Sequence, residues 1–148
     1  MIRKANINDL ETIVLYNKLM AYETEKLVLE EDILTQGVRN ALTDEGKAIY
    51  WVYECDEQVV GQLMITKEWS DWRNGEIWWI QSVYVNEKYR RRKIFNSLYS
   101  HVKSEVENNV NIVGLRLYVE KDNKIAQNTY SDMGMKETHY RLFEWIRN

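Results

Sequence analysis

The chain has 148 residues, 45% of them hydrophobic and 29% charged, with a formal net charge of −3. This length suits a single domain, 1–148, with a proper core, and the negative balance argues against a general nucleic-acid binder, whose field is normally positive. Cys55 is the only cysteine. It excludes an intrachain disulfide and is expected to be a buried, inert thiol in a reducing cytoplasm. No apolar run has the length of a signal segment or a bilayer span, so no membrane partner is expected.

Ile2–Ala5 reads as a short first strand. Asn8 followed by Glu11 predicts a capping box, with Leu10, Ile13, Val14 and Met20 on one face of the helix it opens. A second helix is predicted from Glu30–Asp32, with Leu34, Val38, Ala41 and Leu42 at helical spacing and Asp44-Glu45-Gly46 as its stop. Strands follow at Ala48–Glu54 and Val59–Thr66, joined by the polar turn Cys55-Asp56-Glu57-Gln58. Asp71-Trp72-Arg73-Asn74-Gly75 predicts the next hairpin connection. Glu76–Val85 has little polar relief, as expected of a central strand buried on both faces.

Four consecutive cations, Arg90-Arg91-Arg92-Lys93, come next, and then a helix with Phe95, Leu98, Tyr99, Val102 and Val106 on one face. A cationic loop and the amide-rich start of a helix at the end of a buried strand make a natural seat for a phosphorylated ligand. Ile112–Val119 is a strand reached through that helix, which implies a right-handed parallel crossover. Asn123–Asp132 is a short helix capped near Gly134, and Thr138–Trp145 is predicted as a closing strand. The fold class is α+β, with one largely antiparallel sheet, one parallel strand pair and flanking helices.

Two segments, SVYVNEKYRRRKIFNSLYSHV at positions 82–102 and VEKDNKIAQNTYSDMGM at positions 119–135, resemble the GNAT superfamily of N-acetyltransferases, and the likeness extends over essentially the whole chain. In the second, Asn123, Ala126, Tyr130 and Gly134 match the family's Asn-x-x-Ala-x-x-x-Tyr-x-x-x-Gly run. EWSDWRNGEIWWIQSVYV looks like a bacterial branch of that superfamily. The resemblance implies acetyl-CoA held where two parallel strands splay apart, and transfer of its acetyl group to an amine. The usual loop reads Arg-Gly-x-Gly-x-Gly or Ala, whereas this chain has Arg90-Arg91-Arg92-Lys93-Ile94-Phe95, with no glycine between Gly75 and Gly114. Glycine permits positive φ and close approach to phosphate, so Arg91, Lys93 and Phe95 are expected to adopt less crowded backbone angles or to keep the ligand farther away.

The resemblance places cofactor binding on Val83, Tyr84 and Val85, on Arg90, Arg91, Arg92 and Lys93, on Ile94, Phe95 and Asn96, and on Asn123 and Ala126. Tyr130 is the catalytic candidate, since a phenol of reference pKa about 10 can protonate the departing thiolate. Asn123 can equally be a helix N-cap and Ala126 a small packing residue. Many relatives carry Glu where this chain has Gln81, which can orient a water but cannot take a proton. Glu23, Glu68 and Asp71 are alternative bases. Trp78 and Trp79 point to opposite faces, and one can form an aromatic wall for an amine, with Tyr22 and Glu23 opposite. His101 and His139 have no partners at metal-ligand spacing, so no metal is predicted. Three functions follow in order: an N-acetyltransferase for a small-molecule amine, a non-catalytic acyl-CoA binder, and a nucleic-acid or partner contact through the cationic run. A homodimer is reasonable from the aromatics and the closing strand.

Overall fold

The computed structural model describes residues 1–148, which divide into two compact units, Met1–Leu117 and Tyr118–Asn148. The first unit is built on a five-stranded sheet of β1 (Ile2–Lys4), β2 (Ile49–Cys55), β3 (Gln58–Ser70), β4 (Gly75–Val85) and β5 (Ile112–Leu117), in that spatial order. All neighbours are antiparallel except β4 and β5, which run parallel through the crossover helix. The expected sheet and its one parallel pair are present.

Helices α1 (Leu10–Glu25) and α2 (Glu31–Thr43) cover one face of the sheet, where Ile13, Val14 and Val38 pack with Tyr50 and Val52 of β2. Helix α3 (Ile94–Glu107) covers the other face and buries Ile94, Leu98, Tyr99 and Val102. Gly61 of β3 sets how close α3 lies: a Cβ there would meet Ile94 Cγ2 at 2.8 Å and Leu98 Cδ1 at 3.5 Å. The helix that follows the cationic loop is therefore seated on the sheet at its first turn.

The turn between β2 and β3 places Asp56 and Glu57 at φ 52° and 62°, the paired left-handed conformation that matches strand twist in a two-residue hairpin. β3 runs past the predicted Thr66 to Ser70, because Lys67, Glu68 and Trp69 keep register with Trp78, Ile77 and Glu76 across the hairpin. The N-terminal cap lies two residues earlier than predicted. Asn6 Oδ1 accepts from Asn8 N at 2.9 Å, and Asp9 Oδ2 accepts from Asn6 N at 2.8 Å, forming the capping box of a 3₁₀ turn over Ile7–Asp9. Asp9 prevails over Glu11 because it also receives both ends of the Arg3 guanidinium at 2.9 Å. Cys55 is only half-buried at the end of β2, its Sγ 3.8 Å from Asp56 Oδ2, not buried as expected.

The second unit contains α4 (Lys124–Asp132) and an extended C-terminal segment. Gly134 sits at φ 93° and Met135 N donates to Tyr130 O at 3.0 Å, giving the predicted C-terminal cap. The strand predicted over Thr138–Trp145 does not form: these residues join no ladder, and a strand without a partner has nothing to hold it extended. No helix of the chain is long and apolar enough to cross a membrane.

Candidate active site

The loop after β4 does not adopt the conformation expected of a glycine-free sequence. Arg91 and Lys93 both lie in the left-handed region, at φ 65° and 60°, so the side chains are carried on the backbone a glycine would favour. Phe95 lies within α3 in ordinary helical conformation, half-buried, with its ring centroid 6.3 Å from that of Tyr99. Lys93 is the N-cap residue of α3, yet no side chain caps the helix, and its first turn holds no acidic residue. The first-turn N–H groups are thus offered outward at the positive end of a fourteen-residue helix. A cleft of about 400 Å³ lies here, lined by Val85, Tyr89, Arg90, Arg91 and the stretch Lys93–Asn96. This donor set fits a diphosphate: uncapped amides, exposed cations and no carboxylate on the wall.

The four cations are not equivalent. Arg90 donates from Nε to Val85 O at 2.9 Å and from its NH2 nitrogen to Glu23 Oε1 at 2.9 Å, with its guanidinium 5.2 Å from the Tyr84 ring centre. Tyr84 hydroxyl donates to Glu23 Oε2 at 2.7 Å. Glu23, expected as an acceptor-site wall or base, ties α1 to the end of β4 through these two hydrogen bonds. Its carboxyl is held below the ordinary range, first by the Tyr84 hydroxyl and then by Arg90 against partial burial, which makes it a weak base. Arg92 lies over the Tyr89 ring at 5.1 Å, and Arg91, Arg92 and Lys93 are exposed.

β4 continues beyond its last β5 partner. The parallel ladder ends at Ile80 and Leu117, while β4 runs on to Val85, so Gln81–Val85 have no strand of the sheet on that side. Within this stretch Ser82 has φ 50° and the register with β3 shifts between Gln62 and Met64, a bulge that places an extra residue of β4 against Leu63. A buried polar cluster holds the bulge. Gln62 Nε2 donates to Ser82 O at 3.1 Å and Asn17 Oδ1 at 3.3 Å, and Asn17 Nδ2 donates to Tyr50 hydroxyl at 3.1 Å. Burial raises the Tyr50 phenol, partly opposed by its hydrogen bonds with Asn17 and Ser82.

A second cavity, about 270 Å³, opens beside this cluster, between α1, α2 and the sheet. Asn17, Met20, Leu34, Tyr50, Met64 and Ser82 are among its walls, and no charged side chain lines it. Trp79 and Gln81 stand on the same sheet face, opposite Thr66 and Met64 in the β3–β4 register. Trp79 Nε1 donates to Glu68 Oε1 at 3.2 Å, Arg116 donates to Glu68 Oε2 at 3.3 Å, and the Gln81 amide donates to Thr66 Oγ1. Glu68 is therefore engaged twice, and Asp71 is exposed at the hairpin tip. Trp78 faces the α3 side and is buried, while Tyr22 is exposed on α1 with Lys26 Nζ 5.1 Å from its ring.

In the second unit, Asn123 is the N-cap of α4: its Oδ1 accepts from Ala126 N at 3.1 Å. Ala126 and Tyr130 are half-buried on that helix, and burial pushes the Tyr130 phenol above its usual range. A raised phenol stays protonated across neutral pH, the form a proton donor requires.

The family model described as Acetyltransferase (GNAT) family matches residues 13–135 of this sequence. The chain belongs to the GNAT acetyltransferase family. A solved structure described as a possible acetyltransferase from Clostridium difficile 630 is 48% identical, covers 100% of this chain and 97% of its own, and superposes with a TM-score of 0.95. Two more distant structures share the fold. One, a predicted acetyltransferase with acetyl-CoA from Clostridium acetobutylicum, is 21% identical over 97% of this chain and 94% of that one, with a TM-score of 0.79. The other, an aminoglycoside acetyltransferase from an uncultured soil metagenomic sample in complex with sisomicin, is 14% identical over 99% and 96%, with a TM-score of 0.77. No curated protein matches the chain. What sequence reasoning missed in this GNAT acetyltransferase is the cluster Asn17, Tyr50, Gln62 and Ser82. Its signal is a polar residue interrupting an apolar pattern, Asn17 on the buried face of α1 and Gln62 inside VVGQLMI.

Proposed function

We propose that this chain is an acetyl-CoA-dependent N-acetyltransferase that transfers the acetyl group directly to the primary amine of a small molecule. The observation that carries this reading is the uncapped start of α3, approached through left-handed Arg91 and Lys93 beside the end of β4 that runs on past its β5 partner. The diphosphate takes the first-turn N–H groups, with Arg91, Arg92 and Lys93 supplying charge and Arg90 holding the loop to α1. The peptide-like pantetheine arm pairs with Val83, Tyr84 and Val85 in the manner of an added strand. The amine nitrogen attacks the acetyl carbon, the carbon–sulfur bond breaks, and Tyr130 gives its proton to the departing thiolate. Water removes the proton lost from the amine, because the carboxylates near the acceptor cavity are already engaged.

The acceptor enters between α1, α2 and β4, with Tyr22, Trp79 and Gln81 on its side. Walls without charge favour an acceptor with an apolar group over a polycation. Thiol release measured against a broad panel of amines tests the reading: turnover is expected with at least one apolar primary amine, and Tyr130→Phe should lower kcat about 10²-fold while leaving acetyl-CoA binding intact. A second reading, a non-catalytic acyl-CoA binder, is favoured by Gln81 and its engagement with Thr66. Cofactor binding without thiol release for any acceptor would select it.

A further inference from the structure

Gln62 interrupts an apolar run on β3, where Leu63 and Ile65 are fully buried, and it is itself 0% exposed. A polar side chain in such a place is costly unless its hydrogen-bonding groups are met. Here they are met on one side only. Nε2 donates to Ser82 O at 3.1 Å and to Asn17 Oδ1 at 3.3 Å, while Oε1 is buried with no partner. Ser82 O is a main-chain carbonyl and can only accept, so the nitrogen is the end that faces it. Asn17, also buried, is fixed in turn by the Tyr50 hydroxyl. Gln62 therefore serves as a donor alone, and its unmatched buried acceptor works against stability.

The group it holds is the bulge. Ser82 stands at φ 50°, which a non-glycine residue keeps only when its surroundings impose it, and the β3–β4 register shifts there, between Gln62 and Met64. A bulge bends its strand and re-aims the main chain that follows. The residues that follow are Val83–Val85, which in the reading above pair with the pantetheine arm. We infer that Gln62 is a positioning residue for acetyl transfer: its donation to Ser82 O fixes the bulge, and the bulge aims the Val83–Val85 main chain at the cofactor arm. This rests on the acetyl-CoA reading of the site and gives Gln62 no contact with the cofactor and no part in proton transfer. Asn17, Tyr50 and Ser82 line the cavity between α1, α2 and the sheet, whereas Gln62 does not. Its effect should accordingly fall on the cofactor side and spare the amine.

Calorimetry with acetyl-CoA, and thiol release with an amine that the wild type turns over, test this on the full chain. Gln62→Met is close in shape but has no donor. It should lower kcat about 10²-fold and acetyl-CoA affinity about tenfold, with KM for the amine changed by less than about twofold. Gln62→Glu supplies a readout that a merely structural residue would not move. Burial raises a carboxyl's pKa, and the protonated form can still donate to Ser82 O whereas the ionised form cannot. Relative to the wild type at each pH, this variant should be within about threefold near pH 6. By about pH 9 it should fall to the level of Gln62→Met, with circular dichroism unchanged. In the Gln62→Met background, Ser82→Gly should recover about tenfold in kcat, because glycine takes a positive φ freely.

Wild-type affinity and kcat in Gln62→Met overturn the inference. So does a Gln62→Glu deficit that is flat with pH or appears only where the fold is lost. If Gln62→Met does not fold, the Gln62→Glu series decides. A wild-type chain that binds acetyl-CoA but releases no thiol with any amine overturns the acetyltransferase reading instead, and the affinities of the two variants then decide the role of Gln62. A wild-type chain that does not bind acetyl-CoA overturns both.

Discussion

Arg90 and Tyr84 share the two oxygens of one carboxylate: Arg90 reaches Glu23 Oε1 at 2.9 Å and the Tyr84 hydroxyl reaches Oε2 at 2.7 Å. A run of four cations that looks uniform in sequence is thereby divided. Its first member fastens the loop to α1, and the next three face solvent.

Replacing Glu23 by Gln removes the charge that both partners recognise. Tyr84 is pushed up to about 12 by burial and by the adjacent Glu23 carboxylate. A raised phenol pKa favours the folded state below the unfolded value near 10, and that contribution is lost as pH rises through about 12. In Glu23→Gln the Tyr84 titration should move down, so the stability lost above about pH 10 should be smaller and its loss complete at lower pH than in the wild type. Ultraviolet titration of the phenolate band and thermal melts between pH 9 and 12 check this. At neutral pH the change in stability should stay within about 1 kcal/mol, because Glu23 and Arg90 are 39% and 41% exposed and screened by solvent.

Lys93 offers a test of the loop's backbone. A non-glycine residue in the left-handed region costs roughly 1–2 kcal/mol, whereas glycine adopts it freely but loses more entropy on folding. Lys93→Gly should therefore hold or raise stability by up to about 1 kcal/mol, and the β-branched Lys93→Val should lower it by about 1–2 kcal/mol. Thermal denaturation of the two variants separates these signs. CoA affinity should fall in both through loss of the cation, and more in Lys93→Val.

Gly61→Ala probes the seat of α3. The added methyl meets Ile94 Cγ2 at 2.8 Å, inside ordinary contact distance, so the first turn of the helix must shift. Overpacking of this kind costs about 1–3 kcal/mol. Because that turn presents the amides proposed to hold the diphosphate, calorimetry with CoA should show a binding loss although Gly61 itself does not line the cleft. Unchanged affinity would separate the helix seat from the cofactor site.

Much of the chain was legible before any coordinates. The turn at Asp56-Glu57 and the caps at Glu30 and Gly134 are local features, encoded by residues within a few positions of one another. The parallel β4–β5 pair was also accessible, since a helix between two strands leaves one favoured crossover hand. Competition between local options was less readable: Asn6–Asp9 and Asn8–Glu11 are both sound capping boxes, and Arg3 of β1 chose between them by pairing with Asp9.

For the candidate site, the chain order alone announced a cationic turn entering a helix, and the matched Asn123–Gly134 run. Three things were decided only in three dimensions. Arg91 and Lys93 take up glycine-like backbone because the seating of α3 on Gly61 and the end of β4 constrain both ends of the loop. Glu23 is tied to the end of β4 because Tyr84 and Arg90, distant in sequence, converge on it. Asn17, Gln62 and Ser82 become one buried cluster only when α1, β3 and β4 pack. Hydrogen bonds between neighbours in sequence can be read along a line, but the partners of a buried polar group are set by which elements the fold brings together.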